Sequence, residues 1–334
     1  LDVKCEVIIG GYVSTLKGVA TPGKSPSYDF PGEKTLEALS FANDLRADFI
    51  ALSTVRNSSD VYTIRNQILT DDYNPFIISK IERSDALENF NSILEASDGI
   101  MVARGDMGVE VPLSTVPVIQ KDLIAKCNDV GKPVITATQM LESMVSSTIP
   151  TRAEVTDVAN AVFDGTDAIM LSAETSIGMY PIQTVKVMSE IALEAENVLP
   201  HESIIQNKAV NLQPKVDDAI SYDACRTAYQ LKAKLIVAFT ESGSTAARVS
   251  KYRPHTPILA LTPTKITQNV LTINWGVLPV IVDGLESVED FFNIGQLAAL
   301  GVNDVSTGDL VVLVAGLPIG IPGGTNLLRV MKLP

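Results

Sequence analysis

The chain has 334 residues, 46% of them hydrophobic and 19% charged, the composition of a soluble globular protein, and it exceeds the ~250 residues at which one core usually splits into domains. Its formal charge of −13 excludes general nucleic-acid binding, which relies on Lys and Arg to neutralise phosphates, so an anionic ligand must meet a small local positive site. No apolar run reaches the ~20 residues that span a bilayer, and Cys5, Cys127 and Cys225 form neither a metal-spaced cluster nor a paired framework, which points to a reducing cytoplasm.

In chain order, residues 1–22 alternate as β-structure through Cys5, Val7 and Ile9 and break at Pro22-Gly23, reading as the tail of a unit that began earlier. Five short apolar runs follow: Asp48 to Leu52, Pro75 to Ser79, Asp98 to Ala103, Pro133 to Ala137 and Asp167 to Leu171. Runs of this length read as buried parallel strands. Helical spacing separates them, in Leu36, Leu39 and Leu45, in Val61, Ile64 and Ile68, in Ile119, Leu123 and Cys127, and after the last run in Val185, Met188 and Ile191.

Polar residues close each run: Ser53, then Lys80 and Glu82, then Arg104 to Asp106, then Thr136 and Thr138, then Ser172 and Glu174. In a (β/α)₈ barrel that rim carries the active site, whereas a doubly wound sheet gathers its polar groups at one crevice. An α/β barrel portion over residues 23–200 is therefore expected. Residues 201–215 read as a polar linker. A second βα series forms an open α/β C-terminal domain over 216–334, with strands at Leu235 to Phe239, Pro257 to Leu261, Leu278 to Val282, Leu310 to Val314 and Leu327 to Met331.

Lys80 and Glu82 stand two apart at a strand end, so an extended backbone points an ammonium and a carboxylate into one cavity; alone, the pair reads equally as a surface ion pair. Asp106, in the glycine-flanked run from Met101 to Glu110, makes with Glu82 a hard-oxygen pair suited to Mg²⁺. The glycines allow close backbone approach, and exposed N–H groups there can hold a carboxylate or phosphate. Thr138, Ser172, Glu174 and Thr175 add hydroxyls and a carboxylate, with plain helix capping as the alternative for Ser172 and Thr175. Ser172 and Glu174 can also relay a proton. His201 and His255, in the polar linker and beside a predicted loop, receive no catalytic role.

These segments in order resemble pyruvate kinase: Ile78-Ser79-Lys80-Ile81-Glu82, Met101 to Glu110, Thr138-Gln139-Met140-Leu141-Glu142-Ser143, Pro150-Thr151-Arg152-Ala153-Glu154 and Leu171-Ser172-Ala173-Glu174-Thr175. The resemblance continues through Ser250-Lys251-Tyr252-Arg253-Pro254 and Gly323-Gly324-Thr325-Asn326-Leu327-Leu328. It implies conversion of phosphoenolpyruvate and ADP to pyruvate and ATP by a cytoplasmic, allosteric homotetramer using Mg²⁺ or Mn²⁺. The fold it implies is barrel strands 4 to 8, with residues 1–22 as the tail of an inserted β domain. Lys80 neutralises charge on the transferred phosphoryl group and the enolate, Glu82 and Asp106 hold the metal, and Ala103, Arg104, Gly105, Asp106 and Thr138 bind substrate. Ser53 and Arg56 flank the lysine, and Ser172 and Glu174 form the proton route. Potassium is a further family requirement, but its ligands have no counterpart in this chain.

Thr240 to Thr245 follows a strand and opens a helix, resembling the family's effector loop, and Ser242, Gly243, Ser244 and Thr245 are expected to hold a phosphorylated effector. A polypeptide starting at Leu1 is expected to need further residues for activity, because five strands do not close an eight-stranded barrel. A metal-dependent carbon–carbon lyase of pyruvate-like acids and a catalytically incomplete, effector-binding subunit are the alternatives.

Overall fold

The computed structural model describes residues 4–12, 15, 30–68, 73–285, 287–318 and 324–334. The expected break at Pro22-Gly23, and Gly323 of the tail motif, lie outside the described residues. Residues 4–12 form no strand, and Val7, Ile8 and Ile9 are exposed. Alternation alone is not a strand; it needs a paired neighbour, and none is present among the described residues.

The five apolar runs become strands β1 (Phe49–Leu52), β2 (Phe76–Ile81), β3 (Gly99–Ala103), β4 (Val134–Ala137) and β5 (Ala168–Met170). They form one sheet in sequence order, every neighbouring pair parallel. Helices connect them: α1 (Glu33–Asp44) precedes β1, and α2 (Ser58–Ile68), α3 (Ser84–Glu88), α4 (Phe90–Ala96), α5 (Arg104–Glu110), α6 (Val116–Val130) and α7 (Arg152–Asp164) fill the crossovers. After β5 come α8 (Ala173–Ser176) and α9 (Pro181–Asn197). Helix stripes cover the sheet, with Val61 and Ile64 of α2, Leu123 and Ile124 of α6, and Ile77 and Ile100 of the strands in one core. Gly131 and Gly165 take φ +75° and +91° to end α6 and α7, the left-handed cap that favours glycine.

The expected linker is largely helix. α10 (His201–Lys208) precedes α11 (Val216–Leu231), and Ile205 packs against Ala224 and Cys225 of α11. The polar residues around Ile204 and Ile205 hid an anchor that one buried side chain supplies. The second domain holds β6 (Leu235–Phe239), α12 (Ser244–Ser250), β7 (Ile258–Thr262), α13 (Lys265–Leu271), β8 (Val277–Ile281), α14 (Val288–Leu300), β9 (Leu310–Ala315) and β10 (Leu327–Lys332). Its sheet runs β10-β9-β6-β7-β8, antiparallel only at β10. α11 covers one face and α14 the other, which is why the strands read as continuous apolar runs.

The two domains meet at the N-terminal ends of the first sheet's strands. Asp167, just before β5, pairs with Arg253 at 2.8 Å and accepts the Trp275 N–H at 3.1 Å. Asp48, just before β1, accepts from Asn269 at 3.0 Å. His201 sits in the same junction, its Nδ1 2.9 Å from Arg253 O, a structural contact.

Lys208 donates to Lys251 O at this junction. Burial first, and then the Arg253 guanidinium, push its ammonium down to about 7, against the pull of Asp167 and Asp129. The unfolded lysine keeps its proton to about pH 10.4, so above pH 7 the unfolded chain binds more protons and stability rises with pH, by up to about 1.4 kcal/mol per unit. Cys127 and Cys225, whose burial raises their thiols, oppose this once unfolded thiols ionise near pH 8.5. Urea midpoints should therefore climb from pH 6.5 to 8. In Lys208→Met the climb should vanish; if it persists unchanged, Lys208 is not its source.

Candidate active site

β2 carries Lys80 at its C-terminal end and Glu82 just beyond it. Both lean toward the end of β1. Lys80 Nζ donates to Ser53 Oγ at 2.8 Å, and Glu82 Oε1 accepts the Thr54 N–H at 2.5 Å. Thr54 reaches that position with φ +56°, rare for a residue with a Cβ. Nζ also lies 3.2 Å from Glu82 Oε2, an ion-pair contact outside hydrogen-bonding geometry, so this buried oxygen makes no hydrogen bond. A buried carboxylate oxygen with no donor, beside a fixed ammonium, suits a hard divalent cation and an anionic substrate together.

Asp106 lies in the first turn of α5 and is exposed. The run from Arg104 to Glu110 is thus a short helix, and its two glycines are placed by contact. A Cβ on Gly105 would lie 3.3 Å from Thr138 Oγ1, and that close approach lets Gly105 N–H donate to Thr138 Oγ1 at 2.8 Å. Thr138 donates in turn to Ala137 O at 2.6 Å. Thr138 and Gln139 have φ +69° and +55°. Three of the seven left-handed residues with side chains among the described residues thus lie at the C-terminal ends of β1 and β4, where backbone strain can serve a site.

Arg56 closes a bidentate pair on Asp60, at 2.9 and 2.8 Å. Arg104, 9% exposed, turns its guanidinium into the wall, to Asp157 at 2.7 Å and Thr138 O at 2.7 Å. Burial against a carboxylate and loop carbonyls fixes this orientation. Ala103 ends β3, fully buried.

Glu174 is also fully buried, and its carboxylate accepts the N–H of Ser172 at 2.7 Å and of Leu141 at 3.2 Å. It braces the loops after β4 and β5, while Ser172 stays half-buried. Glu154 does similar work nearby. It closes a capping box with Thr151 at the start of α7 and accepts from Ser143 N and Oγ at 2.7 and 2.6 Å. These hydrogen bonds hold its carboxyl below the usual range despite the opposing effect of burial.

The loop after β6 belongs to the second sheet, apart from this rim. Gly243 (φ +87°) opens α12, and Ser242 Oγ lies 3.2 Å from Ser244 Oγ. The Thr245 hydroxyl is instead buried against Thr325 Oγ1 at 3.0 Å. Sequence reasoning missed Thr54, which acts through its backbone and leaves no residue-type signal, and Asp157, whose partner is 53 residues away.

Two family models match the chain: the pyruvate kinase barrel domain over residues 1–185 and the pyruvate kinase alpha/beta domain over 218–331. Pyruvate kinases of Staphylococcus aureus strains USA300 and NCTC 8325 / PS 47 are each 45% identical over 329 residues, 98% of this chain and 56% of theirs. A crystal structure of a pyruvate kinase from Cryptosporidium parvum superposes with a TM-score of 0.88 at 39% identity, covering 94% of this chain and 64% of that one. The chain therefore spans just over half the length of the curated relatives it matches. With a barrel-domain match over more than half of its residues, and the rim geometry described above, the chain belongs to the pyruvate kinase family.

Proposed function

We propose that the protein transfers the phosphoryl group of phosphoenolpyruvate to ADP, giving pyruvate and ATP. The observation that carries this reading is the Lys80 ammonium, held 2.8 Å from Ser53 Oγ beside the unbonded Glu82 Oε2 at a strand end. Phosphoryl transfer is mainly positioning and charge stabilisation, and Lys80 offers a fixed positive charge to the phosphoryl oxygens and then to the enolate. The substrate carboxylate takes the Gly105 N–H and the Thr138 hydroxyl, which at present bond to Thr138 Oγ1 and to Ala137 O. Ser172 stands on the proton route to the enolate carbon, and Glu174 positions it through its N–H.

Mg²⁺ or Mn²⁺, when bound, supplies charge neutralisation across the phosphoryl oxygens. Glu82 Oε2 and the exposed Asp106 carboxylate would hold it. Glu82→Gln keeps an acceptor for Thr54 N–H and removes the charge, so Mn²⁺ affinity should fall at least ~10-fold, the lower bound typical of losing even an outer partner of a metal site. Mn²⁺ electron paramagnetic resonance checks this; unchanged affinity would remove Glu82 from the metal site.

A cytoplasmic homotetramer is part of the same reading, supported by the exposed Ile182, Val185 and Leu193 on α9. Ser242 and Ser244 are the remaining hydroxyls for a phosphorylated effector. The test of function is incubation with phosphoenolpyruvate, ADP and Mg²⁺ while pyruvate and ATP are measured separately. Equal yields support transfer; pyruvate without ATP overturns it.

A further inference from the structure

Arg104 has no part in the chemistry above, yet it is a buried cation with an unusual set of partners. Nη2 donates to Thr138 O at 2.7 Å and to Gln139 O at 3.4 Å, and Nε donates to Ala137 O at 3.3 Å. Nη1 pairs with Asp157 of α7 at 2.7 Å and reaches Gln120 Oε1 of α6 at 3.4 Å. One planar fork thus collects three successive carbonyls from the last residue of β4 and the loop after it, with Asp157 as counter-ion. A lysine ammonium has neither the donors nor the span to do this.

Those carbonyls belong to the turn in which Thr138 and Gln139 have φ +69° and +55°. Two consecutive side-chain-bearing residues in the left-handed region persist only where their surroundings hold them there. The next residue along from Arg104 supplies the second grip, because Gly105 N–H takes Thr138 Oγ1 at 2.8 Å. Before substrate takes the Gly105 N–H, the start of α5 therefore holds Thr138 at both ends, carbonyl and hydroxyl.

We infer that Arg104, charge-balanced by Asp157, is a positioning residue that holds the Thr138–Gln139 turn so that the Thr138 hydroxyl is aimed at the substrate carboxylate. Arg104 touches no substrate atom; it acts through Thr138. The inference rests on the proposed function only for the identity of that carboxylate, and the position of Thr138 is measurable without it.

The test uses the whole protein and Arg104→Gln, with amide exchange read by NMR and steady-state kinetics. Exchange of the Gly105 amide, which reports the bond to Thr138, should accelerate at least tenfold while β3 and α6 amides keep their rates. KM for phosphoenolpyruvate should rise about tenfold, the scale of losing a hydrogen bond to a charged group, while KM for ADP stays put. In a Thr138→Ala background, Arg104→Gln should add nothing further to KM. A general structural role would give additive effects and raise both KM values. Unchanged Gly105 exchange, or full additivity, overturns the inference. Should Arg104→Gln fail to fold, Asp157→Asn decides, with the same pattern at smaller size expected and an unchanged Gly105 amide counting against. If the wild-type protein neither binds nor converts phosphoenolpyruvate, the functional reading fails while Gly105 exchange still decides the role of Arg104.

Discussion

Lys80→Met is expected to lower turnover of phosphoenolpyruvate by about 10²–10³-fold, the cost of removing one preorganised electrostatic stabiliser. Methionine approximates the length of the lysine stem but has neither charge nor donor, so the change separates charge from packing. Part of the effect is structural and must be measured apart: Lys80, at the end of β2 with its side chain 23% exposed, gives up the Ser53 hydroxyl and also the 3.2 Å contact that balances the buried Glu82 carboxylate. Glu82 keeps the Thr54 N–H, so Mn²⁺ binding should survive and could tighten as the competing ammonium leaves. Steady-state kinetics, Mn²⁺ titration and thermal unfolding on one preparation separate these effects. A variant that retains more than about a tenth of wild-type turnover would refute the role of Lys80, since no stabiliser of that kind is so cheap to lose.

The strands of both sheets were legible because buried parallel strands are short, continuous apolar runs. The polar residues at their ends then marked the rim, and the pairing of Lys80 with Glu82 followed from the two-residue period of a strand. What escaped was decided by contacts between distant residues. α10 hides behind polar neighbours and is secured by Ile205 against Cys225. The orientation of Arg104 depends on Asp157 and on carbonyls more than thirty residues away. Arg56 has its partner four residues along, in Asp60, yet family pattern drew attention to the lysine. Thr151 and Glu154 spell a capping box just before the apolar stripe of α7, so this helix start is legible from residue types alone.

The largest structural effect should come from the junction. Arg253 and Asp167 have side chains 4% and 3% exposed and pair at 2.8 Å, and a buried ion pair broken from one side costs about 3–5 kcal/mol because the remaining charge stays desolvated. Arg253→Met should therefore lower the unfolding free energy by about that amount. Asp167 keeps two donors, the N–H groups of Val134 and Trp275, which moderates the loss; Arg253 also gives up Gly165 O and Ser250 O, which adds to it. Because Val134 begins β4 and Trp275 precedes β8, the same carboxylate links the two sheets. Its isolation should uncouple them, so urea unfolding should become biphasic, with the second domain's sheet and the barrel's sheet melting apart. Adding Asp167→Leu removes the stranded charge and should restore part of the loss, as apolar replacement of a whole buried pair often does. A single sharp transition within about 1 kcal/mol of wild type for Arg253→Met would mean that water reaches the pair, and that the remaining junction contacts, among them Asn269 to Asp48 and Trp275 N–H to Asp167, hold the domains together.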